Sequence, residues 1–163
     1  MNAEVRSLPF DPEALGKKYQ EERDKRLRAD GNEQYQEVSG EFAYFVEDPY
    51  IDSKIERGPV TDEVEVVIIG GGFGGMLAAA RLHDVGITDF RIVEKGGDFG
   101  GTWYWNRYPG ASCDIESYVY FPLLEKTGFV PKQKYTNAPE TLEYCHVIAK
   151  TYGLHERALM QTM

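Results

Sequence analysis

A β-branched run, Val64-Glu65-Val66-Val67-Ile68-Ile69, which stops on Gly70-Gly71-Gly72-Phe73-Gly74-Gly75, constrains this chain more than any other feature of it. Branched side chains favour extended backbone, and an apolar run of this length suits a strand buried in a parallel sheet. The glycines then carry the G-x-G-x-x-G spacing at Gly70, Gly72 and Gly75, with Gly74 in the same loop. Gly70 permits the tight turn out of the strand, Gly72 lets bare backbone approach a pyrophosphate, and Gly75 allows a helix to pack closely on the strand. Phosphates at such a loop meet the unpaired N–H groups and the positive dipole end of a helix amino terminus.

The residues after the loop supply that helix. Met76, Leu77, Ala80 and Leu82 recur at helical spacing up to Gly86, which is placed as a carboxy-terminal cap. Phe90-Arg91-Ile92-Val93-Glu94 reads as a second strand, so the unit is strand, turn, helix, strand, a right-handed βαβ crossover. Glu94 closes it where a carboxylate accepts hydrogen bonds from an adenosine ribose, and a carboxylate there disfavours a 2′-phosphate. The spacing alone is a loose motif and fits a ligand-free turn as well. A strand before it, a helix after it and Glu94 in register favour FAD or NAD over NADP.

Composition excludes several classes. The formal charge of -9 opposes nucleic acid and anionic membrane surfaces, and no dense basic run offsets it. Two cysteines, Cys113 and Cys145, do not make a disulfide framework, which points to a reducing, cytoplasmic location. His83, His146 and His155 lack the spacing of a zinc site, and no metal is expected. No stretch is long and apolar enough for a signal peptide or a membrane span.

The fold class expected is α/β: an incomplete Rossmann-like FAD-binding βαβ unit preceded by a mainly helical amino-terminal extension. Residues 1–40 read as the charged extension, with Asp11 as a helix cap, Pro12 at the first helical position and only a thin apolar stripe of Leu15, Tyr19 and Leu27. Residues 41–63 read as a connecting arm, where Asp48-Pro49 and Gly58-Pro59 interrupt any period. Residues 64–163 form the partial Rossmann-like domain. Within it Asn137 and Glu140 have capping-box spacing ahead of a second helix that stops at Gly153, and 158–163 begins another strand, leaving the sheet open at an edge.

Between Lys95 and Asp114 lies a segment rich in glycine and large rings. Gly100-Gly101-Thr102-Trp103, then Asn106-Arg107-Tyr108-Pro109-Gly110 and Cys113-Asp114-Ile115-Glu116-Ser117, resembles the FAD-domain signature of the Baeyer–Villiger-type flavin monooxygenases. The resemblance runs from about Val64 onward and implies that Thr102, Trp103, Tyr104 and Trp105 line FAD. It also implies that Asp114 and Tyr120 touch the flavin region and that Ser112, Cys113 and Asp114 lie near the nicotinamide nucleotide. Asp114 is the catalytic candidate, because in similar enzymes the matching aspartate orients an active-site arginine, and a fixed charge stabilises a developing anion better than a mobile one.

The family implied uses FAD, NADPH and oxygen to insert an oxygen atom next to a ketone carbonyl. The sequence departs from it in lacking a second glycine-rich βαβ unit for NADPH, the family's phenylalanine-glycine-histidine-tryptophan fingerprint and a segment to supply the arginine. Ser112 also stands where many relatives have a basic residue. Flavin binding without turnover is therefore the expectation for this polypeptide alone. Two other readings stay open at this point: a non-catalytic flavin-binding subunit completed by a partner chain, and a small NAD-dependent dehydrogenase, against which it counts that no Tyr-x-x-x-Lys or other proton-transfer set follows the βαβ unit.

Overall fold

The structure is a computed structural model that describes residues 9–163. Residues 1–8, the first part of the expected extension and of the stretch searched for a signal peptide, lie outside the described residues. The chain divides into two compact units, Met1–Glu47 and Asp48–Met163, so the division falls within the arm expected over 41–63.

In the first unit, helix α1 spans Pro12–Asp24. Asp11 caps it as its sequence implies, its carboxylate accepting from Glu13 N at 2.9 Å and Ala14 N at 3.4 Å, with Pro12 opening the helix. A cap of this kind contributes about 1 kcal/mol. No residue of α1 is buried, which agrees with a solvated helix. Short 3₁₀ turns follow at Gly31–Gln34 and Gly40–Val46.

The second unit is built on three parallel strands, β1 (Val66–Ile69), β2 (Phe90–Val93) and β3 (Ala158–Leu159), in that order across the sheet. Val66 pairs with Phe90 and Ile69 with Val93, while Ile92 and Val93 pair with Ala158 and Leu159. Helix α2 (Phe73–Asp84) forms the crossover between β1 and β2, and Gly86 ends it with φ +82°. Three one-turn helices follow, α3 (Thr102–Trp105), α4 (Ser117–Tyr120) and α5 (Leu124–Thr127), before the longer α6 (Ala138–Thr151).

Core packing joins Ile68 of β1, Phe90 and Ile92 of β2, Met76, Ala79 and Ala80 of α2, and Tyr144, Cys145, Ile148 and Ala149 of α6. Small alanines on α2 let that helix lie close to the sheet. The expectation of a wholly buried first strand is corrected here: burial alternates along β1, Ile68 being covered while Val67 and Ile69 are exposed, Ile69 to 88%. Side chains on a strand alternate between faces. The helices cover the face of β1 that carries Val66 and Ile68, so Val67 and Ile69 on the other face meet solvent.

Asn137 caps α6 through Oδ1, which accepts from Glu140 N at 3.0 Å. The reciprocal half of the expected capping box is replaced: Glu140 Oε1 accepts from Lys132 N at 2.9 Å, tying the preceding loop to the helix instead. Gly153 stops the helix at φ +62°.

Candidate nucleotide-binding site

The glycine loop, the turn after β2 and the segment around α3 meet at the carboxy-terminal ends of β1 and β2. Gly70 N donates to Val93 O at 2.8 Å and carries the ladder one residue past β1 before the chain turns. Gly75 is where helix and strand come closest. A methyl group built on it overlaps the Gly70 carbonyl oxygen outright and lies 3.0 Å from the Gly70 carbonyl carbon and 3.3 Å from Ile68 Cγ2. Gly74, by contrast, has no atom within 4 Å of that position, and Gly72 caps α2 without any side-chain acceptor. Backbone N–H groups of the first helical turn are thus left for a ligand acceptor.

Glu94 is the centre of the arrangement. It is 5% exposed, and its carboxylate bridges two turns: Oε2 accepts from Gly71 N, and Oε1 accepts from Gly96 N at 2.6 Å. Its own backbone is held by the strand beyond, Glu94 N donating to Leu159 O at 3.0 Å and Glu94 O accepting from Thr162 N at 2.9 Å. The carboxylate therefore faces the glycine loop. The second glycine segment closes on the first, with Gly100 N donating to Gly71 O at 3.0 Å, and a methyl group on Gly72 would lie 3.3 Å from Gly101 Cα. Bare backbone at Gly72 therefore serves a contact between the two loops, which the motif alone does not reveal.

Thr102, Trp103, Tyr104 and Trp105 occupy α3, and successive helical side chains point about 100° apart. The structure accordingly separates them. Trp103 is buried and its indole N–H donates to the Tyr120 hydroxyl at 2.9 Å, the two rings meeting edge to face at 5.9 Å. Phe73 of the glycine loop meets Tyr120 in the same way at 5.6 Å, so one aromatic group links the loop, α3 and α4. Burial raises the Tyr120 phenol above its ordinary ionisation, with the Trp103 N–H acting the other way.

Tyr104 turns to the other side. Its hydroxyl donates to Asp48 Oδ2 at 2.6 Å and accepts from Gly97 N at 3.1 Å. Trp105 is half-buried and packs edge-on against Tyr104 at 5.1 Å, while Thr102 is exposed. Burial first, and the Asp48 hydrogen bond next, push the Tyr104 phenol up to about 12. A phenol whose folded-state value lies above its unfolded one stabilises the fold below the unfolded value, and that stability is lost as pH rises through the folded value. The expected result is an alkaline loss of stability between about pH 10 and about pH 12 that Tyr104→Phe removes, read from urea midpoints across that window.

Ser112 and Cys113 lie on a short segment that pairs with the stretch leading into α6, and Asp114 opens the bend after it. Cys113 N donates to Thr136 O at 2.9 Å, Ala138 N donates to Ala111 O at 2.8 Å, and Ser112 forms a bridge with Asn137. Alternation sends the Cys113 side chain into the core and leaves Ser112 and Asp114 exposed on either side of it. The Asp114 carboxylate has no partner among the described residues. Phe73, Asp48, Tyr50 and Arg107 are neighbours that sequence reasoning did not single out for the site. Phe73 and Arg107 had local signals, their places inside the glycine loop and the Asn106–Gly110 signature.

A strand, glycine loop, helix and strand with a buried acid at the second strand's end define a Rossmann-like nucleotide-binding protein. The family model described as an NAD(P)-binding Rossmann-like domain matches residues 68–127. Baeyer-Villiger monooxygenase ATR8 of Stachybotrys chlorohalonatus is 52% identical over 95% of this chain and 25% of its own length. Among solved structures, the polycyclic ketone monooxygenase of the fungus Thermothelomyces thermophila superimposes with a TM-score of 0.73 at 41% identity, over 91% of this chain and 25% of that one. OTEMO in complex with FAD and NADP gives 0.58 at 30% identity, over 64% of this chain and 20% of that one. Over nearly its whole length the chain is thus similar to Baeyer–Villiger-type flavin monooxygenases, and it corresponds to one portion of them. It spans about a quarter of the length of the curated relatives it matches.

Proposed function

We propose that this chain forms the FAD-binding portion of an NADPH-dependent monooxygenase that inserts oxygen next to a ketone carbonyl. The observation that carries the reading is the Glu94 carboxylate, buried and clamped between the glycine loop and the turn after β2. A carboxylate has about four lone-pair positions, and two are used here, so acceptors remain for the ribose hydroxyls of a dinucleotide. The uncapped start of α2, open beside Gly74, fits a diphosphate.

Bound FAD supplies the redox chemistry. The chain's own residues hold and shield it: Gly70, Gly72, Gly74 and Gly75 shape the diphosphate loop, and Glu94 orients the adenosine sugar. Trp103 and Tyr120, on the glycine-loop side of α3, line the ring system and exclude water, while Tyr104 and Trp105 brace the turn after β2 from its other side and Thr102 opens the helix. Exposed Asp114, with Ser112 beside it, is available to orient a guanidinium and to meet the nicotinamide nucleotide, whereas Cys113 contributes through its backbone. Ketone oxygenation belongs to the full-length family enzyme; for this chain by itself the proposal is FAD binding, with a complementing chain or segment required for turnover. No helix among the described residues is long and apolar enough to cross a membrane, and both cysteines are free and buried, which supports a cytoplasmic setting.

Titration of FAD into the folded chain should quench flavin fluorescence saturably, and NAD should compete only weakly. A sample with a cooperative melt and no affinity for FAD would overturn the reading.

A further inference from the structure

The segment Asp48-Pro49-Tyr50 makes contacts with the site that its sequence does not announce. One Asp48 carboxylate oxygen, Oδ2, accepts from Gly97 N at 2.9 Å and from the Tyr104 hydroxyl at 2.6 Å, while Oδ1 accepts from Tyr50 N at 2.9 Å. Tyr50 reaches in turn to the Trp105 carbonyl at 3.3 Å and meets the Tyr104 ring edge to face at 5.7 Å. The Arg107 guanidinium lies 4.0 Å from the Tyr50 ring centre and 4.6 Å from that of Tyr104, and its Nε donates to the Tyr104 carbonyl at 2.8 Å. The fit is close: a methyl group on Gly97 would overlap Ile51 Cγ2 and lie 2.9 Å from the Tyr104 hydroxyl.

From this geometry we infer that Asp48 is a positioning residue for the FAD site, holding the Gly96–Gly97 turn and α3 in the register that Glu94 and the aromatic residues need. The inference rests on the FAD reading above. Glu94 and Asp48 grip adjacent amides of one turn, Gly96 and Gly97, from opposite partners. An amide pair fixed in this way cannot swing without breaking a charge-assisted bond at each residue, so the Glu94 carboxylate is presented to the ligand already oriented. Asp48 thus acts through backbone and through Tyr104, with no contact to FAD required of it.

The test compares the full chain with its Asp48→Asn and Tyr104→Phe variants. An asparagine that keeps its one oxygen on Gly97 N and the Tyr104 hydroxyl turns its NH₂ toward Tyr50 N, itself a donor, and the two bonds it keeps lose their charge. FAD affinity, from flavin fluorescence, should fall about tenfold in Asp48→Asn, the scale expected for a lost charge-assisted bond. Exchange of the Gly97 amide in the ligand-free chain should accelerate by a similar factor. Tyr104→Phe should lose about threefold in affinity, and the double variant should be little worse than Asp48→Asn, because both substitutions break one network. Should Asp48→Asn fail to fold, Tyr104→Phe carries the test. Unchanged FAD affinity in the variants while the parent chain binds overturns the inference alone. A parent chain with no FAD affinity overturns the underlying reading, and this inference with it.

Discussion

Gly75→Ala is expected to cost the second unit a large share of its stability. Its methyl group overlaps the Gly70 carbonyl oxygen, which is backbone of the turn leaving β1 and cannot swing aside, and presses on the branched, buried side chain of Ile68. Overpacking a core typically costs about 1–3 kcal/mol, and a clash with backbone belongs at or above the top of that range. Most small domains have only about 5–15 kcal/mol in total. Gly74→Ala is the internal control, because nothing lies within 4 Å of its added carbon and alanine is the better helix former by about 0.5–1 kcal/mol. Urea melts of the two variants should therefore move in opposite directions from the parent. Equal midpoints for Gly75→Ala and the parent would show that α2 does not pack on β1 as described.

Adjacent glycines with opposite expectations also show where sequence reading is strong. The spacing assigned Gly75 to close packing, and the structure puts that packing at Gly75 and leaves Gly74 open. Helix starts were readable for the same reason, since Asp11 and Asn137 cap through bonds to residues two or three positions away. Local chemistry of this range is written in consecutive residues. The strand pattern was readable as well, although β-branched residues alone do not say whether one face or both are covered, and β1 has one covered face.

What stayed hidden is non-local. Asp48 meets Gly97 and Tyr104 across 49 and 56 positions of sequence, and a lone Asp-Pro in an aperiodic stretch reads as a turn whatever it touches. The direction of each ring on α3 was equally hidden. Trp103 and Tyr104 are neighbours that read as one aromatic cluster, yet helical rotation gives one to Tyr120 and the other to Asp48. The resemblance set Cys113 with Ser112 and Asp114 near a nucleotide, and the sequence did not show that its side chain is buried between two exposed ones.

Glu94→Ala should produce the second large loss, and it separates folding from binding. Removing the carboxylate leaves the Gly71 and Gly96 N–H groups without their acceptor, in a site where both glycines are buried. Each buried donor left unsatisfied costs about 1–3 kcal/mol, so the pair should cost about 2–6 kcal/mol. Glu94→Gln keeps one acceptor oxygen for one amide and faces the other with an NH₂, placing its loss between the parent and alanine. Urea midpoints give this order directly, and an unchanged slope shows that the unfolded chain exposes the same surface. If Glu94 holds the sugar as proposed, FAD affinity should fall as well in both variants, by at least about a hundredfold in alanine, since the ligand would lose its acceptor as well as the oriented turn. Were Glu94→Gln to keep parental stability yet lose FAD, the carboxylate would act on the ligand alone. If Glu94→Ala melted like the parent, the bridge between the glycine loop and the turn after β2 would not hold this fold together.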